Sequence, residues 1–369
     1  MKKKIISIIG TRGIPATYGG FETFAQELSI RLDSDKIKVV VFCDFKENNL
    51  TEYRGVQLKY SKYIKSEHPL LFYFDCILRA ARDSDFILVA GTGGAFFYWI
   101  PKLARKIIIT NIDGVESRRG KWGFFKKIFI KATEYIAIHC SDKVIADSFG
   151  IKNYVLQNYG VKDDRISVIE YGAEKNQGKA NLKVLKKHDL IPNEYYLVVS
   201  RLEPENNIIK ILQGFLASRS PRTLVIVGGL KKNSYVNQIE GIAQSSNGRI
   251  KLLGAIYERS ELDALRFYTY AYMHGHSVGG TNPSLLEALA ASNISICHDN
   301  EFNREVTESQ MFYFKSSHDL ALQLEEIEAL SIETLNQRKA YALNRVSSYY
   351  NWDRITCEYR NLINGFVKQ

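Results

Sequence analysis

Short apolar runs rich in β-branched residues recur along the chain at helix-length intervals, and this rhythm constrains the fold more than any motif. Six lie in the first half: Lys4–Ile9, Val39–Phe42, Phe86–Ala90, Ile107–Thr110, Val144–Ala146 and Ile166–Ile169. Five follow: Tyr196–Val199, Leu224–Val227, Ile250–Leu253, Ala271–His274 and Ile294–Cys297. Unbroken runs of this kind suit parallel strands buried on both faces, with amphipathic stretches such as Phe21–Leu32 and Leu320–Leu330 as covering helices. About eleven strands are too many for one open sheet of usual size. The rhythm also restarts near 195, after the polar stretch Lys175–Asn193. The expected fold class is therefore α/β, two doubly wound Rossmann-like domains (1–174 and 175–351) facing a central cleft, with a last helix over 352–367 able to pack back on the first.

Composition narrows the function classes. A hydrophobic fraction of 45% and a charged fraction of 24% exclude a disordered or fibrous chain. No run reaches the ~18 apolar residues of a membrane-spanning helix. The lysines ahead of Ile5–Ile9 imitate a signal peptide, but Arg12 closes the apolar stretch, so the expected location is the cytoplasm. Cysteines 43, 76, 140, 297 and 357 are odd in number and contain no C-x-x-C, which argues for free thiols over a disulfide or zinc framework. The net charge of +10 is uneven: residues 102–131 hold nine Lys/Arg against Asp113 and Glu116, or +7 in one window. Such a patch points to an anionic partner.

Open α/β sheets bind ligands beyond the carboxyl ends of their strands, so the loops after strands carry the chemistry. The first strand runs into Gly10-Thr-Arg-Gly-Ile-Pro-Ala-Thr-Tyr-Gly19-Gly20-Phe-Glu22, whose glycines let backbone N–H groups approach a phosphate or sugar at a helix start. Its spacing is neither G-x-G-x-x-G nor a P-loop. The first strand of the second half ends in Ser200-Arg201-Leu-Glu203-Pro-Glu205-Asn206, where an arginine can fork onto a diphosphate or pair with the neighbouring glutamates. The third loop is His274-Gly-His276-Ser-Val-Gly279-Gly280-Thr281-Asn282-Pro283-Ser284-Leu-Leu-Glu287. Here Asn282 is expected to cap a helix that Pro283 opens, the N–H groups of Ser284 and Leu285 to face an anion, and Glu287 to grip a ribose. His274 and His276 suit either donor phosphates or satisfied strand ends.

Gly19-Gly20 with Glu22, Arg201-Leu-x-Pro-Glu and Gly280-x-x-Pro-x-Leu-Leu-Glu287-Ala resemble the retaining, glycogen-synthase-like glycosyltransferases of the glycosyltransferase-B fold. The longer strings around Gly10–Phe24, Asp113-Gly-x-Glu116 and Gly279–Glu287 resemble, more narrowly, bacterial rhamnosyltransferases of capsule and cell-wall polysaccharide assembly. The resemblance implies transfer of L-rhamnose from dTDP-L-rhamnose to a lipid-linked saccharide; the residues themselves lead to the expectation of no cofactor and no metal. The donor would be held by Gly19, Gly20, Arg201, Asn206, Gly279, Gly280, Thr281, Asn282 and Glu287. Two positions depart from the broad family: Gly279 stands where a sugar-contacting glutamate is usual, and Asn206 where a phosphate-binding lysine is usual, with Lys210 a turn further on. The smaller, less polar pocket fits a 6-deoxy sugar. Another nucleotide sugar such as a UDP-hexose, a nucleotide-sugar 2-epimerase, and a non-catalytic nucleotide-binding module remain open.

Arg201 and the helix starts can stabilise the leaving diphosphate without metal. Asp33-Ser-Asp35 and Asp83-Ser-Asp85 spell D-x-D but precede strands, so they read as turns. Asp113, Glu116 and Asp147 follow strands and are candidates to orient or deprotonate an acceptor hydroxyl, or else to cap helices or pair with Arg118 and Arg119. Around 118–131, Phe125, Ile128/Phe129, Ala132 and Ile136 make one helical stripe, read as core packing. Arg118, Arg119, Lys121, Trp122, Phe124 and Lys126 are expected to contact an anionic membrane surface, which would make the protein peripheral on the inner face of the cell membrane. No nucleic-acid motif accompanies the charge.

Overall fold

A computed structural model describes residues 3–16, 19–44, 50–112, 114, 123–175 and 181–367. The chain divides into unit 1, residues 1–171 with 352–369, and unit 2, residues 172–351.

Among the described residues, unit 1 carries β1 (Lys4–Ile9), β2 (Ile37–Cys43), β3 (Glu52–Tyr53), β4 (Val56–Tyr60), β5 (Phe86–Ala90), β6 (Ile107–Ile112), β7 (Lys143–Ala146) and β8 (Ile166–Val168). They form one sheet in the order β3-β4-β2-β1-β5-β6-β7-β8. Only the β3–β4 pair is antiparallel. Ser7 of β1 lies between Val40 of β2 and Ile87 of β5, and all five residues of β5 are buried. That is why the central strands read as unbroken apolar runs. Winding leaves β1 in one direction through β2 and in the other through β5, so the carboxyl ends of β1 and β5 flank the switch point where such sheets bind ligands.

The helix Trp352–Val367, last in sequence, belongs to unit 1. Its Tyr359 ring lies 5.7 Å from that of Phe24, which in turn is 5.5 Å from Tyr171. The Tyr359 hydroxyl accepts a hydrogen bond from Asn111 Nδ2 at 2.7 Å, and Arg354 Nη2 reaches Glu170 Oε2 at 2.6 Å.

Unit 2 carries β9 (Tyr195–Val199), β10 (Thr223–Val227), β11 (Ile250–Gly254), β12 (Ala271–His274), β13 (Ser295–His298) and β14 (Phe312–Phe314), ordered β11-β10-β9-β12-β13-β14. Every pairing is parallel. The switch point here lies between β9 and β12. Both units are therefore Rossmann-like, each winding both ways from its first strand. The strands β3, β4 and β14 were not expected from the apolar rhythm. Of these, β4 alternates buried and half-buried residues, and β14 is three residues long.

The D-x-D sequences lie at strand entries: 33–35 are in a turn, and Asp83 ends the helix Pro69–Asp83. Asp33 Oδ1 accepts from the Val39 amide at 2.7 Å, and Asp85 Oδ2 accepts from the Ile5 amide at 2.9 Å, so each carboxylate starts a strand.

Glu170 is buried, and Arg354 is the cation that ties the last helix to it. Arg354→Met strips that charge and should lower the stability of unit 1 by about 2–3 kcal/mol, toward the low end for a broken buried pair because the arginine is partly exposed. Urea unfolding followed by far-ultraviolet circular dichroism would check this; a midpoint unchanged from wild type would refute it.

Candidate functional site

In unit 2 the loops after β9 and β12 meet at the switch point, backbone to backbone. A Cβ built on Gly275 would stand 2.1 Å from the carbonyl oxygen of Asn206, so only glycine fits. The Ser277 amide and hydroxyl both donate to the Glu205 carbonyl, at 2.9 and 2.8 Å, and Asn207 Nδ2 donates to the Gly275 carbonyl at 2.8 Å. Asn206 is 2% exposed, and its side-chain amide donates to the Arg201 carbonyl at 2.7 Å. This corrects its expected role: it braces the loop from beneath and does not present its amide to a phosphate. Arg201 projects from the braced loop with 54% of its side chain exposed, 3.6 Å from Glu203. Lys210, considered as a replacement cation, donates to the Lys315 carbonyl at 2.8 Å.

Asn282 caps the helix Pro283–Ala290. Its Oδ1 accepts from the Ser284 amide at 3.0 Å and from the Ser284 hydroxyl at 2.9 Å, while its carbonyl accepts from the Leu285 amide at 3.1 Å. The two N–H groups expected to face an anion are thus taken by the cap itself, a second correction. Gly279 has φ of 120°, a conformation L side chains rarely adopt, and nothing lies within 4 Å of the point where a Cβ would stand. A glutamate there would be strained whatever the space. Gly280 and Thr281 are buried. A small hollow is lined by His276, Val278, Gly279, Asn300, Phe302 and Asn303 among others, and none of its lining residues is Asp, Glu, Lys or Arg. Asn300 and Asn303 shape it by donating to the His276 carbonyl at 2.9 and 3.0 Å.

Glu287 is half-buried, and its Oε2 accepts from Arg266 Nη2 at 2.5 Å. Arg266, on the helix Arg259–Tyr268, is 3% exposed and lies 3.7 Å from Asp263 through Nη1. Burial raises the Asp263 carboxyl pKa, with Arg266 and Arg259 opposing the rise. Sequence reasoning missed Arg266; its one signal was a cation beside the buried Ala264-Leu265 face of an amphipathic helix.

His274 is buried, with neither ring nitrogen hydrogen-bonded, and its ring stacks on His276 at 4.3 Å. Neither open reading holds as stated: a ring this enclosed reaches no phosphate, and with both nitrogens unbonded it is an interior histidine but not a satisfied one. Burial pushes its pKa well below the ordinary 6.5, and His276 and His298 push the same way; His298 is lowered chiefly by burial too.

In unit 1 a Cβ on Gly10 would meet the Ala90 carbonyl at 2.4 Å, so β1 and β5 leave the sheet in contact. Glu22 Oε1 accepts from the Arg12 amide at 2.9 Å and Gln26 Oε1 from the Ala16 amide at 2.9 Å, which pins the loop to the helix Gly20–Leu32. Gly19 is that helix's N-cap, with Gly20 its first residue. A second glycine-rich loop, Gly91-Thr-Gly-Gly94, follows β5 across the switch point; sequence reasoning passed over it although its glycines directly follow a strand. Gly93 and Gly94 lie against the Tyr73 ring, where a Cβ would come within 2.7 Å.

Asp147, an expected acceptor group, is 1% exposed with both carboxylate oxygens shielded. It lies near Tyr359, whose phenol its charge helps to push up in pKa, behind burial and against the Asn111 hydrogen bond. The last helix therefore covers it, and its acceptor role is corrected to an interior one. Asp113, Glu116, Arg118, Arg119, Lys121 and Trp122 lie outside the described residues. Phe124 and Lys126 open the helix Phe124–Cys140 and are exposed. The stripe read as core is core only at its far end: Ile136 packs against the unit 1 core, whereas Phe125 is 85% exposed and Ile128, Phe129 and Ala132 are also exposed. Neighbouring helices extend this apolar surface through Leu70, Leu71, Phe74, Leu78, Trp99 and Leu103, with ring contacts Phe74–Phe97 at 5.4 Å and Phe96–Phe129 at 5.2 Å.

Residues 3–174 match the family described as a domain of unknown function, DUF1972. No curated protein matches the sequence. Among solved structures the chain is similar to a sucrose-phosphate synthase from Thermosynechococcus elongatus, at 14% identity and TM-score 0.81 with 100% of both chains covered. It is similar to a glycosyltransferase from Rickettsia africae at 15% identity and TM-score 0.79, covering 100% of this chain and 99% of that one. It is also similar to Anabaena HepE in complex with UDP-glucose, at 15% identity and TM-score 0.80, covering 99% and 100%. The chain has the fold of these proteins, the glycosyltransferase-B fold.

Because His274 and His298 are held neutral in the fold, the unfolded chain binds protons more readily near the ordinary value of 6.5. Stability should be full above that pH and fall as pH drops through it. A thermal midpoint that is level between pH 7 and 8 and declines from 6.5 to 5.5 is expected, with a shallower decline in His274→Gln. A midpoint that rises toward pH 5.5 would contradict the sign.

Proposed function

We propose that the protein is a retaining glycosyltransferase that moves a sugar from a nucleotide-sugar donor held by unit 2 to an acceptor bound by unit 1. The observation that carries this reading is that the segments following β9 and β12 supply an exposed Arg201 on a braced loop and a half-buried carboxylate, Glu287, fixed by a buried arginine. The first is a cation that can follow charge onto a departing diphosphate; the second is an acceptor for a nucleoside hydroxyl. As the bond from the sugar's anomeric carbon to the diphosphate breaks, the diphosphate leaves with the electron pair and Arg201 stabilises it. The acceptor oxygen attacks the same face, and its proton passes to the departing phosphate, so no enzyme nucleophile and no metal enters. Asp113 and Glu116 are the groups proposed to orient the acceptor hydroxyl.

Within this class the donor proposed first is dTDP-L-rhamnose. The residues around Gly279, among them Val278, Phe302, Asn300 and Asn303, are neutral, which is in keeping with a sugar whose sixth carbon is a methyl group. The likeness to a protein solved with UDP-glucose favours a UDP-hexose as the second reading. The acceptor is proposed to be a lipid-linked saccharide of capsule or cell-wall assembly, met at the inner face of the membrane. Support comes from the exposed Phe124, Phe125, Trp99 and Leu103 next to Lys102, Lys126 and Lys131, an apolar surface edged with cations.

A panel of nucleotide sugars with and without a lipid-linked acceptor tests the activity. Transfer only with acceptor supports it; sugar interconversion without acceptor would instead make the protein an epimerase. Glu287→Gln loses charge-assisted hydrogen bonds and should weaken nucleotide binding by about tenfold or more. Arg201→Lys keeps one charge without the fork, so turnover should fall more than affinity. Turnover should survive excess chelator.

For the membrane, Phe125→Ser with Lys126→Glu should release the protein from anionic vesicles while leaving nucleotide binding unchanged. Cosedimentation equal to wild type at low salt would remove the membrane from the proposal.

A further inference from the structure

A carboxylate grips a ribose by giving one oxygen to each of two neighbouring hydroxyls. Glu287 is not free to do so. Its Oε2 already accepts from Arg266 at 2.5 Å, a short charge-assisted bond. Arg266 cannot readily release it. The guanidinium is 3% exposed, its other carboxylate neighbour, Asp263, is further off at 3.7 Å, and its Nε has no hydrogen-bond partner. A buried guanidinium that lost Glu287 would leave its charge poorly compensated, which is costly. Glu287 is half-buried, with Oε1 as its one oxygen not already held by arginine.

We propose that Arg266 is a specificity-determining residue that leaves Glu287 a single acceptor for the nucleoside, so that the site selects a 2′-deoxyribonucleoside diphosphate sugar over its ribose counterpart. The inference rests on the donor-binding reading above and goes beyond it by assigning the nucleoside class to a pair of residues. A deoxyribose offers one ring hydroxyl, and Oε1 accepts it. In a ribose the second hydroxyl would be drawn out of water beside an oxygen whose best lone pair is spent on arginine. A donor or acceptor removed from water without a partner is a penalty and not a gain. Arg266 acts through Glu287 and touches no reacting atom, so it is a positioning residue.

The test uses UDP and 2′-deoxy-UDP, which share base and diphosphate and differ by one hydroxyl, each titrated calorimetrically into the full-length protein. The expected result is that 2′-deoxy-UDP binds more tightly than UDP. UDP binding as tightly or more tightly would overturn the inference while leaving nucleotide-sugar transfer standing. Binding of neither nucleotide would overturn both. Glu287→Gln should weaken the two ligands by the same factor; a loss confined to UDP would mean that the second hydroxyl is gripped after all, and would also overturn it. In Arg266→Gln, which frees Oε2, the preference should move toward UDP by threefold or more. If that variant does not fold, the wild-type ratio and the Glu287→Gln pair still decide.

Discussion

A carbonyl oxygen occupying the space of an absent side chain sets up the unit 2 site. Because Gly275 has no Cβ, the Asn206 carbonyl can press into it, and the loop after β9 settles on the loop after β12. The Ser277–Glu205 and Asn207–Gly275 hydrogen bonds then close the remaining gap between two strands whose winding diverges. Asn206 is sealed below and Arg201 is left above. The same device recurs where Gly228 meets the Ser200 carbonyl at 2.3 Å, and in unit 1 where Gly10 meets that of Ala90. Parallel strands end side by side, so their exits crowd, and glycine relieves the crowding without spending side-chain volume.

Charge in unit 2 is distributed by burial. Arg266 and Glu287 form one held ion pair with Asp263 nearby, His274 is kept neutral by its enclosure, and the hollow by Gly279 is lined with amides, an imidazole and apolar side chains. Arg201 is the contrasting case, a cation in water with one loosely placed neighbour. The buried, paired charge suits recognition, and the exposed one suits a charge that develops during reaction.

How much of this was legible varies with the range of the interaction. The two-sheet α/β architecture came through because strands buried on both faces print themselves as apolar runs, as β5 and β9 do. β4 did not, since it alternates Val56 and Leu58 with Gln57 and Lys59. The cap at Asn282 is legible, for it involves residues two apart; that it occupies the Ser284 amide is a matter of geometry. The partner of Arg266 is not legible, because it stands 21 positions away and no local pattern encodes the pairing. The Phe125–Phe129 stripe misled for a different reason: helical periodicity shows that a face is apolar but not what covers it. Asp147 was misplaced because the helix that covers it arrives some two hundred residues later in the chain.

That late helix makes unit 2 an insertion within unit 1. The two strands of chain that leave and re-enter are joined at its base, where the Ala173 amide donates to the Tyr350 carbonyl at 2.7 Å. During synthesis, then, the order of completion is reversed from the order of sequence. Unit 2 has all of its residues while unit 1 still lacks the helix that shields Phe24, Tyr171 and Asp147. For that interval the first-made unit lacks the cover its Phe24 ring has in the finished fold, and transiently exposed apolar surface of this kind favours aggregation.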